Sequence, residues 1–121
     1  MSMRRQFTKE ERLEIYNKYN GHCAYCGCEL NLEEMTVDHI LPLYRGGTNY
    51  PANLNPSCRS CNKYKATYTV EDFRKQLSLI LERLNNSKPT YRIAKRYRLV
   101  EENNHEIQFY YEKLRKGEHI Q

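Results

Sequence analysis

The sequence predicts a small α+β fold, and three observations carry that prediction. Two Cys-x-x-Cys pairs bracket a loop of irregular composition, helical hydrophobic spacing appears on both sides of it, and apolar residues alternate near the C-terminus. At 121 residues the chain suits one domain with a short appended arm. A domain of that size buries a modest core, so a metal cross-link would add usefully to its stability.

The elements follow in chain order. Residues 8–20 read as a helix: Thr8 and Glu11 have capping-box spacing, Leu13, Ile15, Tyr16 and Tyr19 form an apolar face, and Gly21 stops it. Residues 22–66 are irregular, with Gly46-Gly47 in the middle and an extended stretch near residues 36–41, where Thr, Val and Ile cluster. A second helix opens around residues 60–62. The third helix has the clearest signal. Thr69 is a good N-cap, Val70, Phe73, Leu77, Ile80, Leu81 and Leu84 recur at helical spacing, and Asn85-Asn86-Ser87-Lys88-Pro89 ends it. Its apolar stripe reads as cover for a small core rather than as a dimerisation seam. Residues 97–102 and 105–112 read as two strands of a C-terminal β-hairpin around Asn103-Asn104, with Ile107, Phe109 and Tyr111 on one face. The expected organisation is a main domain over residues 1–87, with its core at 20–66, and a basic extension over 88–121 packed on the same domain.

Charge and hydropathy narrow the partners. Mean hydropathy is −0.94 and 29% of residues are charged, and no apolar run approaches the roughly 20 residues of a membrane helix, so no membrane partner is expected. The first six residues include Arg4 and Arg5 with no apolar stretch behind them, which does not read as a signal peptide; a reducing cytoplasm is the expected compartment. There, five cysteines read as thiolate ligands before they read as disulfides. Of the net charge of +5, all is accounted for by Lys88, Arg92, Lys95, Arg96 and Arg98, within residues 88–98 that contain no Asp or Glu. Beside Tyr91 and Tyr97 this stripe suits a polyanion, with cations on phosphate and rings stacking; a solvated helix face explains it equally well.

Cys23-Ala24-Tyr25-Cys26 and Cys58-Arg59-Ser60-Cys61 are the two pairs. Two residues between cysteines let a tight turn aim both sulfurs at one ion, and two such turns complete the tetrahedral thiolate shell that zinc prefers. A closed four-sulfur shell has no open position, so this single zinc is structural. Residues 27–57, between the pairs, are longer than the spacer of a simple zinc ribbon and must house something else. Cys28 stands outside both pairs and reads as a semi-buried thiol, with competition as a fifth candidate ligand left open, while His22, His105 and His119 read as surface residues.

Inside that loop lie Val37-Asp38-His39-Ile40-Leu41-Pro42, Gly46-Gly47-Thr48-Asn49 and Asn53-Leu54, and after it Cys58-Arg59-Ser60-Cys61-Asn62-Lys63-Tyr64-Lys65. In order and spacing, these motifs over residues 20–66 resemble the HNH endonucleases, the ββα-metal or His-Me finger nucleases. The resemblance implies a ββα-metal finger with a zinc knuckle, flanked by helices, that hydrolyses phosphodiester bonds of DNA. His39 would be the general base, since an imidazole titrates near neutral pH. Asp38, pointing the other way along a strand, and Asn62, at the start of a helix, would hold one Mg²⁺ or Mn²⁺ through oxygens. Asn53 would orient His39 through Nδ1–H, leaving Nε2 to face the water. Lys65 and Arg45 would neutralise phosphate, joined by Arg92, Lys95, Arg96 and Arg98 from the stripe.

Each residue alone has a plainer reading: Asn49 and Asn53 as turn residues, Lys65 as helix surface, His39 as a structural imidazole. Their joint register between two sulfur pairs favours the catalytic one. The alternative from another class is a non-catalytic, zinc-stabilised nucleic-acid-binding module, which has no need of Asp38, His39 and Asn62. RNA in place of DNA, or a toxin with an immunity partner, fits the same residues. A cut through both strands by one active site would imply a dimer on the substrate.

Overall fold

The computed structural model describes residues 6–115; the first five residues and His119 lie outside it. The described residues form two compact units, 6–70 with 108–115, and 71–107, so the divisions fall at 70/71 and 107/108 rather than at 87/88.

In the first unit, α1 (Lys9–Asn17) starts with the expected capping box: Thr8 Oγ1 accepts from Glu11 N at 3.1 Å, and Glu11 Oε1 accepts from Thr8 N at 2.9 Å. Gly21, at φ +79°, turns the chain where a Cβ would lie 2.7 Å from the Tyr16 hydroxyl. Ile15 packs with Met35, Val37 and Leu54 in a core edged by Phe7, Tyr16, Leu30 and Leu32. Leu13, expected on this face, is exposed instead. Polar clamps fix the helix: Arg12 donates to the carbonyls of Leu32 (2.7 Å) and Met35 (2.8 Å), and Lys18 to that of Leu54 (2.8 Å).

The strands β1 (Thr36–His39) and β2 (Leu54–Ser57) pair antiparallel, with Val37 opposite Pro56, Asp38 opposite Asn55 and His39 opposite Leu54. Nothing in Leu54-Asn55-Pro56-Ser57 signals a strand, because Asn and Pro are poor strand formers. A two-stranded ribbon tolerates Pro56, whose carbonyl accepts from Ala24 N at 2.9 Å. Between the strands run two 3-10 turns, Leu43–Arg45 and Pro51–Asn53. Gly47 is required there by close approach, since a Cβ would sit 1.8 Å from the Leu41 carbonyl oxygen. Helix α2 (Arg59–Lys65) follows, with Cys58 as its N-cap. Successive β1, β2 and α2 make the expected ββα unit, in a small α+β fold.

The same unit takes in residues 108–115. Phe109 and Tyr111 are buried and stack at 6.4 Å between centroids, and both meet the Tyr25 ring edge-on. Their backbone docks too: Tyr110 N donates to Tyr25 O (3.1 Å) and Tyr111 N to Ala24 O (2.9 Å). From Tyr110 to Arg115 the chain is helical (the last helix, α6). The expected C-terminal hairpin is therefore absent among the described residues: 97–109 carry no strand and 110–115 are a helix. Phe109 and Tyr111 do share one side as expected. Their burial against Tyr25 and the knuckle backbone stabilises this segment without a partner strand, which an isolated two-stranded hairpin would need.

The second unit holds most of α3 (Val70–Ser78), with α4 (Ile80–Ser87) and α5 (Pro89–Arg96). The single third helix read from periodicity is split at Leu79, whose N–H bonds back to the Gln76 carbonyl in a tighter turn. Pro89 then does two things: it ends α4 and occupies the first turn of α5, where its missing N–H costs nothing. The basic stripe is thus mostly helical. Of residues 71–107, Phe73 alone is buried.

Candidate active site and metal centre

The sulfurs of Cys23, Cys26, Cys58 and Cys61 all lie within 4.8 Å of one another, and those of Cys26 and Cys58 are 3.9 Å apart. A tetrahedron with arms of ~2.3 Å has edges of about 3.8 Å, so this set fits one zinc ion. Backbone geometry puts them there. Cys23 and Cys26 flank a tight turn in which Gly27 N donates to Cys23 O, and Cys58 Sγ accepts from Cys61 N at 3.3 Å as α2 begins. Without a cation the thiols compete for protons: the hydrogen bond from Cys61 lowers Cys23 to about 4, and that same bond pushes Cys61 up. A divalent ion removes the conflict. Cys28 is exposed rather than semi-buried and stands outside the cluster.

The knuckle reaches Asp38 through the residue between its cysteines. Tyr25 OH donates to Asp38 Oδ2 at 2.5 Å, and Asn55, opposite Asp38 on β2, donates from Nδ2 to the Tyr25 oxygen at 3.5 Å. Asn55 Oδ1 is buried with no hydrogen-bond partner among the described residues. Lys65, fully buried at the end of α2, places Nζ 3.3 Å and 3.2 Å from the two Asp38 oxygens and 2.9 Å from the His39 carbonyl. Burial raises the Asp38 pKa, with Lys65 opposing it, and burial lowers that of Lys65, with Asp38 opposing it. A lysine with no exposed surface cannot touch substrate, so the expected phosphate contact of Lys65 is corrected to a buried ion pair. Asp38 compensates the charge that burial would otherwise penalise.

His39 follows Asp38 on β1, and its Nε2 lies 2.8 Å from Asn49 Oδ1. An amide oxygen only accepts, so Nε2 is the donor in this contact, and in the neutral imidazole the lone pair would sit on Nδ1. The expected partner, Asn53, is used elsewhere. Its Oδ1 accepts from Leu41 N (2.9 Å), and its Nδ2 donates to the carbonyls of Leu41 (3.0 Å) and Thr48 (2.8 Å). Asn53 fastens the loop between the strands, and Asn49, one turn of chain earlier, holds the imidazole. The ring nitrogen that is held is also the opposite one from that expected.

Asp38, His39 and Asn62 line one pocket of about 310 Å³, together with Pro42, Leu43, Tyr44, Ala66 and Thr67. The Asn62 side chain, on α2 beside Cys61, takes no hydrogen-bond partner among the described residues. One carboxylate and one free amide facing a common space fit a hard, oxygen-seeking divalent ion. Arg45 stands at the rim: its Nε donates to Thr67 O at 3.1 Å and its guanidinium lies 5.1 Å over the Tyr44 ring. A larger cavity of about 560 Å³ lies between α1 and the 49–54 loop, where Glu11, Glu14 and Asn17 stand beside the Lys18 ammonium and no imidazole lines it.

In the second unit, Arg92, Lys95 and Arg96 line a separate concavity with Asn85. Lys95 is engaged internally, 2.7 Å from Asn85 Oδ1 and 3.2 Å from Glu102 Oε2. Arg92 donates to the Asn85 carbonyl at 2.6 Å. Arg98, at φ +59°, takes no side-chain partner among the described residues. Sequence reading missed Tyr25, Asn55 and the role of Asn49. For Tyr25, its place between two ligating cysteines was the available signal.

Comparison with known proteins places this arrangement. Residues 23–78 match the family model described as HNH endonuclease. The CRISPR-associated endonuclease Cas9 of Corynebacterium diphtheriae is 32% identical over 69 residues, covering 56% of this chain and 6% of that protein. The Septu protein PtuB of Bacillus thuringiensis is 37% identical over 65 residues, covering 47% of this chain and 24% of that protein. The crystal structure of the type II-C Cas9 from Actinomyces naeslundii superposes with a TM-score of 0.50 at 27% identity, over 55% of this chain and 7% of that one. The chain thus spans under a quarter of the length of these curated relatives. No helix among the described residues is long and apolar enough to cross a membrane. Site geometry and likeness agree: residues 23–78 of this chain match the HNH endonuclease family.

Proposed function

We propose that this chain hydrolyses DNA phosphodiester bonds as a one-metal endonuclease, with His39 as general base. The observation that carries the reading is the common pocket of Asp38, His39 and Asn62. Asn49 holds Nε2, so the free Nδ1 lone pair is left to take a proton from the attacking water. Asp38 and Asn62 would hold Mg²⁺ or Mn²⁺, which supplies charge stabilisation to the departing 3′ oxygen. Arg45, held beside Tyr44 and Thr67, would meet a phosphate. On the second unit, Arg92, Arg96 and Arg98 serve as phosphate contacts, with Lys95 holding Glu102 beside them. RNA has the same reacting group and is the second substrate to test.

The zinc-stabilised, non-catalytic binding module is the competing reading, and one experiment separates the two. Supercoiled plasmid is incubated with the protein and Mg²⁺ or Mn²⁺, with and without EDTA, beside His39→Ala. Metal-dependent nicking that falls by about 100-fold or more in the variant is expected. Absence of nicking under every metal condition, with DNA binding intact, would establish the binding module.

A further inference from the structure

We infer that Lys65 is a built-in counter-ion that keeps the Asp38–Asn62 site electrically neutral, so that a divalent ion binds firmly only together with a nucleic-acid phosphate. The inference rests on the reading of Asp38 and Asn62 as metal ligands. Asp38 is the one anionic side chain among those lining the pocket. Its charge is already met: the Lys65 ammonium lies within 3.3 Å of both oxygens, and Oδ2 also takes the Tyr25 hydroxyl. Lys65 cannot swing away to solvent. It is fully buried, it donates to the His39 carbonyl as well, and it belongs to a helix whose first turn is fixed between Cys58 and Cys61.

Asn62 adds an oxygen but no charge, and His39 is neutral when it acts as a base. A dication entering from water therefore meets a carboxylate and an ammonium whose fields largely cancel, and it must still shed water. A bound phosphodiester supplies the missing negative charge and further oxygens. Each ligand then improves the site for the other, and by linkage the factor is the same in both directions. In the absence of both ligands, Lys65 does the complementary job of sparing a buried carboxylate from standing unpaired.

Manganese binding reads this directly. Mn²⁺ is titrated by electron paramagnetic resonance into zinc-loaded, full-length protein carrying His39→Ala to prevent turnover, with and without a short DNA duplex. DNA is expected to tighten Mn²⁺ by at least about fivefold. Adding Lys65→Met is expected to tighten Mn²⁺ in the absence of DNA by a similar factor and to shrink the effect of DNA. Should that variant fail to fold, the DNA-linked factor in the protein with Lys65 intact still decides. Equal Mn²⁺ affinity with and without DNA, or weaker binding in Lys65→Met, would overturn the counter-ion role while leaving the ligands in place. No Mn²⁺ binding in any arm, or binding unaffected by Asp38→Asn, would instead remove the ligand reading beneath it.

Discussion

The finger and the helical segment after it are stabilised by opposite means. Residues 20–66 hold a largely irregular chain together with cross-links: four converging sulfurs, a buried Asp38–Lys65 pair, and side-chain amides that fasten loops. Residues 71–107 are regular helix for most of their length, yet they bury one side chain, Phe73, and draw on a polar hub at Glu102. Irregular backbone needs specific bonds at each bend, because turns leave peptide groups without ladder partners. Helices satisfy their own backbone and demand less of individual residues.

The difference breaks most visibly at the sulfurs. Chelation of zinc, or Cys58→Ser, is expected to cost the finger on the order of 10 kcal/mol and to unfold it, with the near-ultraviolet tyrosine signal of the Tyr25–Phe109–Tyr111 cluster lost. An unchanged melting temperature after complete zinc removal would show that the core alone suffices. Gly47→Ala comes next. The added methyl would collide with the Leu41 carbonyl, and a loss of about 3 kcal/mol by chemical denaturation is expected.

The two asparagines sharpen the contrast within the finger. Asn53→Ala strips partners from Leu41 N and from the carbonyls of Leu41 and Thr48, and should cost about 1–3 kcal/mol of stability. Asn49→Ala should leave the melting temperature nearly unchanged and slow nicking by about tenfold, because its bond serves the imidazole. Reversed effects would return the orienting role to Asn53. The smallest effect belongs to the helical segment. Hydrogen bonds from Asn85 and then Tyr91, aided by Lys95, hold the Glu102 pKa below its ordinary 4.5. The stabilisation is therefore complete above about pH 4.5 and is lost as pH falls through the lower folded value. Glu102→Gln should flatten that acid limb in a thermal-melt series.

What could be read from sequence follows the same division. The capping box at Thr8, the sulfur pairs, and the Asp38-His39 placement on a strand were legible, because each is a local pattern with one geometric solution. Partner choice within the loop was not. Asn49 and Asn53 are both polar, both near His39 in sequence, and only the folded path of residues 41–53 assigns the bond. Lys65 was misread because lysines are so rarely buried that exposure is the natural expectation. The strand β2 was hidden by Pro56, and the hairpin was over-read from alternation that in fact serves docking of Phe109 and Tyr111. The break at Leu79 leaves no mark, since apolar periodicity runs straight through it.

The docking of residues 109–111 onto the knuckle has a practical bearing on where the finger ends. The family match stops at residue 78, yet the Tyr25 ring, whose hydroxyl steadies Asp38, is walled by side chains some thirty residues further on. Cut out at the family boundary, the domain would leave that ring's edges wet and two knuckle carbonyls unbonded. A graft or a minimal nuclease taken from this chain therefore has to bring its distant C-terminal patch along, joined by whatever linker replaces the helices between.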